Sequence, residues 1–242
     1  MKISVVIPAY NEEKLLLETL RAVRNSVAAF SASGWEWELI VCDNNSTDGT
    51  ADIARGLGAK VVFESVNQIS RARNAGAAAA TGNWILFVDA DTLPSYRLFA
   101  AVRKLIVSGN HIAAGANIRF NTDVPWARVC AEFWNWTSRA LNWAAGSFFL
   151  VETGAFRELK GFSNELYVSE ELELSIRLNR FAAKRGFKPL QIIHDPLIDT
   201  SGRKIDLYSG SEHLRFVLKS ITSGLNFLQC PKTCHLWYDG RR

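Results

Sequence analysis

Along the first 110 residues, short apolar runs alternate with stretches in which apolar residues return every three or four positions. The runs are "ISVVIPAY" (3–10), "EWELIVCD" (36–43), "AKVVFE" (59–64) and "NWILFVDAD" (83–91). Their length and β-branched content predict strands. The stretches between them predict helices. Residues 11–30 have helical spacing, with Asn11 as N-cap and acids in the first turn. "STDGTADIARGLG" (46–58) ends at glycine, as does the alanine-rich "ISRARNAGAAAATG" (69–82). "PSYRLFAAVRKLIVSG" (94–109) opens with proline near its first turn. Strands alternating with helices predict an α/β fold: a mostly parallel, doubly wound, Rossmann-like sheet with helices on both faces.

Beyond residue 110 the alternation weakens. "HIAAGANIRF" (111–120), "GSFFLVE" (146–152) and "FKPLQIIH" (187–194) predict strands, and "SEELELSIRLNRFAAKRG" (169–186) a helix. Residues 126–143 hold four of the eight tryptophans. One unit over 1–242 is expected, with a ligand-binding half at 1–108 and a smaller, more variable half at 109–242.

A chain of 242 residues has room for a sizeable core. Apolar residues make up 48% and charged ones 21%, a globular balance that disfavours a disordered chain. The net charge of +4 is scattered, so no polybasic run marks a nucleic-acid or membrane tail. The N-terminal apolar run is too short for a secretory signal and no run is long enough to span a membrane, so a cytoplasmic protein is expected. Cys42, Cys130, Cys230 and Cys234 then read as reduced thiols. "CPKTCH" (230–235) offers a few zinc-type ligands, without the second cluster a structural zinc needs.

In open α/β sheets ligands bind at the carboxyl ends of the strands. Three such ends are polar here: Pro8-Ala9-Tyr10-Asn11-Glu12, Asp43-Asn44-Asn45-Ser46 and Asp89-Ala90-Asp91. Two acids one residue apart after a buried strand suit a hard divalent cation whose other ligands come from phosphates. Each signal also has a plain reading. Asp91 is placed to cap the helix near Pro94. "DNNSTDGT" (43–50) is turn chemistry, and Arg71 and Arg73 fit a solvated helix face. Ser169 is placed to cap the helix that follows, with Glu170 and Glu171 complementing its dipole.

Taken in order, "VVIPAYNEE", "VCDNNSTDGT", "SRARNAGAAAATGNWILFVDADT" and "GAFRELKGFSNELYVSEELELSIRL" resemble the motifs of family 2 glycosyltransferases of GT-A fold, over roughly residues 2–190. The resemblance implies an inverting transfer of a sugar from a nucleotide-sugar, UDP- favoured and GDP- open, to a hydroxyl of a glycan or lipid-linked acceptor. It implies Mn²⁺ or Mg²⁺ as cofactor. Pro8, Ala9, Tyr10 and Glu12 match the first-strand nucleotide loop, and Asp43 the acid that recognises the base. Arg71 and Arg73 fall in the donor-binding helix. Asp89, Ala90 and Asp91 match the D-x-D motif, Asp91 as the main metal ligand and Asp89 as a second. Glu170-Glu171 stands where the family usually has Glu-Asp, which makes Glu171 the general base, one methylene longer than usual. His194 is a candidate third metal ligand or a structural histidine. "TSGRK" (200–204) is either a loop that closes over the diphosphate or a basic turn.

Two rivals accompany this reading. A nucleotidyltransferase of related fold would carry a glycine-rich phosphate loop, and "IPAYNEE" has no glycine. A non-catalytic nucleotide-sugar-binding module would have lost the acids that are present here. Trp126, Trp134, Trp136 and Trp143 are candidates for stacking on sugars, for peripheral membrane contact at the inner face, for a homodimer contact, or for core filling.

Overall fold

The computed structural model describes residues 1–203 and Gln229. Eight strands form one sheet: β1 (Lys2–Ala9), β2 (Glu36–Asp43), β3 (Lys60–Phe63), β4 (Trp84–Val88), β5 (Thr92–Leu93), β6 (Ala113–Asn121), β7 (Phe148–Glu152) and β8 (Gln191–Ser201). Their order across the sheet is β3-β2-β1-β4-β7-β6-β8-β5. The pairings β3–β2, β2–β1, β1–β4 and β6–β8 are parallel. β7 runs antiparallel to both its neighbours, and β5 antiparallel to β8. The expected mostly parallel α/β sheet is therefore present, with two reversed strands, β7 inserted beside β4 and β5 at the edge.

The helices are α1 (Leu16–Ser26), α2 (Ala28–Ser31), α3 (Thr50–Gly56), α4 (Ile69–Ala78), α5 (Tyr96–Ser108), α6 (Pro125–Leu141), α7 (Thr153–Glu158) and α8 (Glu170–Lys184). They cover both faces, because the central strands are apolar on both sides. Ile3, Val5 and Ile7 of β1 pack into one core with Leu16, Leu20 and Val23 of α1 and Phe99 of α5. Val6, between them, points into a second core with Ala77 of α4 and Leu174 and Leu178 of α8. The two-residue period of a strand divides one sequence between two cores. Helix α4 lies very close to the sheet. A Cβ on Gly76 would stand 2.4 Å from Val6 Cγ1, so only glycine fits there.

Several local expectations are corrected. The first helix begins at Leu16 and Asn11 does not cap it. Asn11 takes a left-handed φ of 52° and its side chain accepts from Thr47 N instead, tying the first loop to the second. Helix α5 is capped by Ser95, whose hydroxyl accepts from Leu98 N, so Asp91 is not spent on capping. Ser169 precedes α8 but makes no side-chain cap. Strand β8 runs past His194 to Ser201, so Thr200 and Ser201 of "TSGRK" end a strand and Gly202 and Arg203 follow it. Lys204, together with Cys230, Cys234 and His235 of "CPKTCH", lies outside the described residues.

Candidate active site

The three polar strand ends meet at one edge because β2, β1 and β4 are adjacent and parallel. Ala9 is paired with Asp43, and Asn44 N donates to Ala9 O at 2.8 Å. Asp43 is nearly buried, and Ser46 N donates to its carboxylate at 3.0 Å. Pro8 and Ala9 are buried beneath this rim and Tyr10 is half-buried on it. Asn44 fastens the next segment: its amide donates to Glu64 O and Val66 O, and its oxygen accepts from Gln68 N. Arg71, on the accessible side of α4, pairs with Glu64 at 3.3 Å.

Arg73 does something different. Its side chain is 2% exposed, and it pairs with Asp89 at 2.8 Å and, more closely still, with Glu170. It also donates to Gly146 O at 3.1 Å and lies over the Phe162 ring. Helix α4 presents Arg73, Gly76 and Ala77 on its inward face, Gly76 and Ala77 three and four residues after the arginine. The guanidinium thus joins the end of β4 to the start of α8. It is committed to carboxylates inside the protein, and of the two candidate arginines Arg71 is the one left at the surface of the cleft.

Burial works against Arg73's charge, but Asp89, Glu170 and Glu171 outweigh it and raise its pKa. Burial pushes the Glu170 carboxyl up to about 8, helped by the neighbouring Glu171 and opposed by Arg73. Burial likewise raises Glu171, and Arg73 opposes it. One cation does not balance three carboxylates in a desolvated place, so the acid pair tends to hold a proton. The chain enters α8 through Ser169 at φ 68°, a left-handed conformation that costs about 1 kcal/mol for a residue with a Cβ. That turn sends Glu170 inward to Arg73 and leaves Glu171, half-buried, one position further round the helix.

The D-x-D segment is held from behind. Ala90 is buried and its carbonyl accepts from Thr19 Oγ1 of α1 at 2.8 Å. Asp91 O accepts from Ser201 N, and Thr92 pairs with Thr200. Arg203 follows, and its guanidinium grips the Glu12 carboxylate through two bonds of 3.0 and 2.9 Å. It also stands 3.8 Å from Asp91. Burial opposes its charge, but Glu12 and Asp91 raise its pKa.

For a divalent cation, Asp91 supplies a half-exposed carboxylate oxygen already attracting a positive charge. Mg²⁺ and Mn²⁺ need few protein ligands when phosphates complete the shell, so the site fits. Asp89, with one oxygen on Arg73, would be the weaker ligand. His194 does not belong to it. It is exposed in β8 while Asp91 meets the far end of that strand; along the paired strand β6 that stretch runs from Ala116 to Asn121, roughly 15 Å. No group of three His, Cys, Asp or Glu side chains poised for a metal occurs among the described residues.

The Arg73 network was not legible as such in the motif. A charged residue on the small-residue face of a helix is its one sequence signal, and a solvated face accounts for arginine equally well until the sheet is placed.

This sheet order is that of the GT-A fold, which solved glycosyltransferases share. A mannosyltransferase from Pyrobaculum calidifontis, solved with GDP-Man and Mn²⁺, superposes with a TM-score of 0.69 at 19% identity over 93% of this chain and 62% of that one. TarS of S. aureus, solved with UDP, gives 0.63 at 20% identity over 83% and 60%. The model of glycosyl transferase family 2 matches residues 4–162, and the chain belongs to that family. The probable glycosyltransferase YdaM of Bacillus subtilis is 27% identical over 216 residues, 79% of this chain and 50% of its own length. The chain spans half or less of the length of the first curated relatives it matches.

Proposed function

We propose that the protein transfers a sugar from a nucleotide diphosphate donor to a hydroxyl acceptor, with inversion at the anomeric carbon and dependence on Mn²⁺ or Mg²⁺. The observation that carries the reading is the joining of Asp89 and Glu170 by Arg73, which brings the donor-side acid close to the start of α8, where the candidate base Glu171 follows Glu170.

Residues 1–108 form the donor half. Tyr10 and Asp43 receive the base, Asp43 as hydrogen-bond acceptor. Arg71 is the cation available to the diphosphate. Asp91, with Asp89, would hold the divalent ion, which supplies charge neutralisation of the leaving diphosphate when bound. Arg203 must leave Asp91 for that ion to enter, and its natural next partner is the diphosphate itself.

Residues 109–242 form the acceptor half. Glu171 takes the proton of the acceptor hydroxyl as that oxygen forms its bond to the anomeric carbon. The bond from that carbon to the diphosphate oxygen breaks on the opposite face, and the electron pair leaves with the nucleotide. Burial raises the Glu171 carboxyl, which makes it a stronger base than an ordinary carboxylate. UDP-sugars are the favoured donors and GDP-sugars the alternative; both nucleotides occur in the neighbouring structures. The acceptor is a glycan or a lipid-linked hydroxyl.

A thermal-shift panel of UDP-, GDP- and dTDP-sugars with and without Mn²⁺ tests the reading. The right donor raises Tm only with metal, through preferential binding to the folded state. No shift with any donor would sink it.

A further inference from the structure

Helix α6 has a buried face and an exposed apolar one. One packs on the sheet: Ala127, Ala131, Asn135 and Ser138 are buried, and the Asn135 amide bonds both Ile118 N and Ile118 O at 2.8 Å. The other faces outward. Val129 is 66% exposed, Phe133 68% and Trp136 62%, and Phe133 stacks on Trp136 with ring centroids 6.4 Å apart. At 100° per residue these three, with exposed Cys130 and Ala140, fall within about 120° of arc, opposite the buried face. Thr137 lies on the same stripe, and its hydroxyl turns back to Phe133 O, so it adds a methyl group rather than a free polar group. Arg128, Glu132 and Arg139 are exposed along one flank.

We infer that this outer face of α6 rests on a lipid surface, with anionic headgroups along the arginine flank. Two observations favour a lipid surface over a second protein. A 17-residue helix is about 25 Å long and about 10 Å wide, so the stripe offers roughly 250 Å². A stable protein interface buries about 800 Å² on each partner. The chemistry is also that of an interfacial helix: aromatic rings at the centre, and long arginine stems that reach headgroups from the flank. No helix among the described residues is long and apolar enough to cross a membrane, so the contact is one of lying on the surface.

The geometry links this face to the acceptor half of the proposed site. Past α6, Asn142 O accepts from Asn179 of α8, and Ala144 N donates to Ser175 Oγ, which itself donates to Glu171 O. A membrane under α6 is thus one short connection from the candidate base. This link to a lipid-linked acceptor rests on the transferase reading. The docking surface does not.

The test is co-sedimentation of the full chain with vesicles of phosphatidylcholine and phosphatidylglycerol at about 7:3. Wild type should pellet, and Phe133→Ser/Trp136→Ser should lose about tenfold or more in partitioning. Arg128→Glu/Arg139→Glu should lose binding mainly to the anionic vesicles. Both side chains of the first pair are exposed, so the fold should survive; circular dichroism checks this, and the milder Trp136→Gln serves if it does not. The donor-induced thermal shift should be the same in wild type and variants, which keeps failure here separate from failure of the transferase reading. Wild type left in the supernatant would overturn the inference. So would an apolar-face variant that still pellets, or light scattering that shows a wild-type dimer and a variant monomer.

Discussion

Replacing Glu170 by glutamine tests the idea that the acid pair at the start of α8 holds a proton. Asp89, Glu170 and Glu171 act on one guanidinium, Arg73, in a place where burial penalises charge. With every acid ionised, two negative charges would remain uncompensated. The carboxyl of Glu170 sits near pH 8 in the folded protein against an ordinary 4.5. Between those values the folded protein binds more protons than the unfolded one. Stability from this source is therefore fully present below about pH 4.5 and is lost as pH rises through 8, at about 1 kcal/mol per pH unit for each proton retained. Glutamine has the shape of the protonated acid, can still accept from Arg73 and does not titrate. Between pH 5.5 and pH 8 wild type should lose about 2–3 kcal/mol relative to the variant. Part of the slope should survive in both, because Glu171 is raised as well. The lowered carboxyls of Glu38 and Asp48 have the opposite sign, but their contribution changes only below this window. Urea unfolding in EDTA without nucleotide, at four pH values from 5.5 to 8, measures the difference. A stability difference that stays constant with pH would refute the shared-proton account.

Glu171→Gln should cut nucleotide diphosphate release during transfer by about 10²–10⁴-fold, with the metal-dependent donor thermal shift retained; full activity would move the base elsewhere. Asn135→Leu leaves Ile118 N and O without partners under α6 and should cost about 2–3 kcal/mol in urea unfolding. Gly76→Ala drives a methyl group into Val6 and should cost about 1–3 kcal/mol. Val6→Ala should recover part of that loss in a double-mutant cycle, and strictly additive costs would mean that the two sites do not touch.

Much of this molecule was readable from periodicity. "EWELIVCD" is β2 to the residue, and the alternation of short apolar runs with helical spacing gave the α/β class and the rim on which Asp43 and Asp89 stand. Three kinds of feature were not readable, each for a physical reason. Helix starts were misplaced where a cap-type residue was used elsewhere: Asn11 bonds the neighbouring loop, which no local pattern reports. The two-residue strand β5 is too short to have a period and exists only because β8 comes back to pair with it. The inward turn of Arg73 depends on how closely α4 approaches the sheet, which is set by Gly76 against Val6 and so by contacts distant in sequence. His194 looked like a strand-end ligand because the strand was expected to stop there. It continues to Ser201 and takes the useful residues, Thr200 and Arg203, to the site instead.

The pairing of β5 with β8 has a consequence for the order of events at biosynthesis. Thr92 and Thr200 hydroxyls meet across 108 residues of chain, and Asp91 O is bonded by Ser201 N. Loop closure over such a span is entropically slow, and chains fold largely as they emerge from the N-terminal side. The acids at 89 and 91 therefore leave the ribosome long before the strand that clamps them. A nascent chain arrested before residue 200 would carry the whole D-x-D sequence yet lack its rear brace. The proposed competence to hold a metal and a donor would then arrive late, as a property of the completed sheet rather than of the motif.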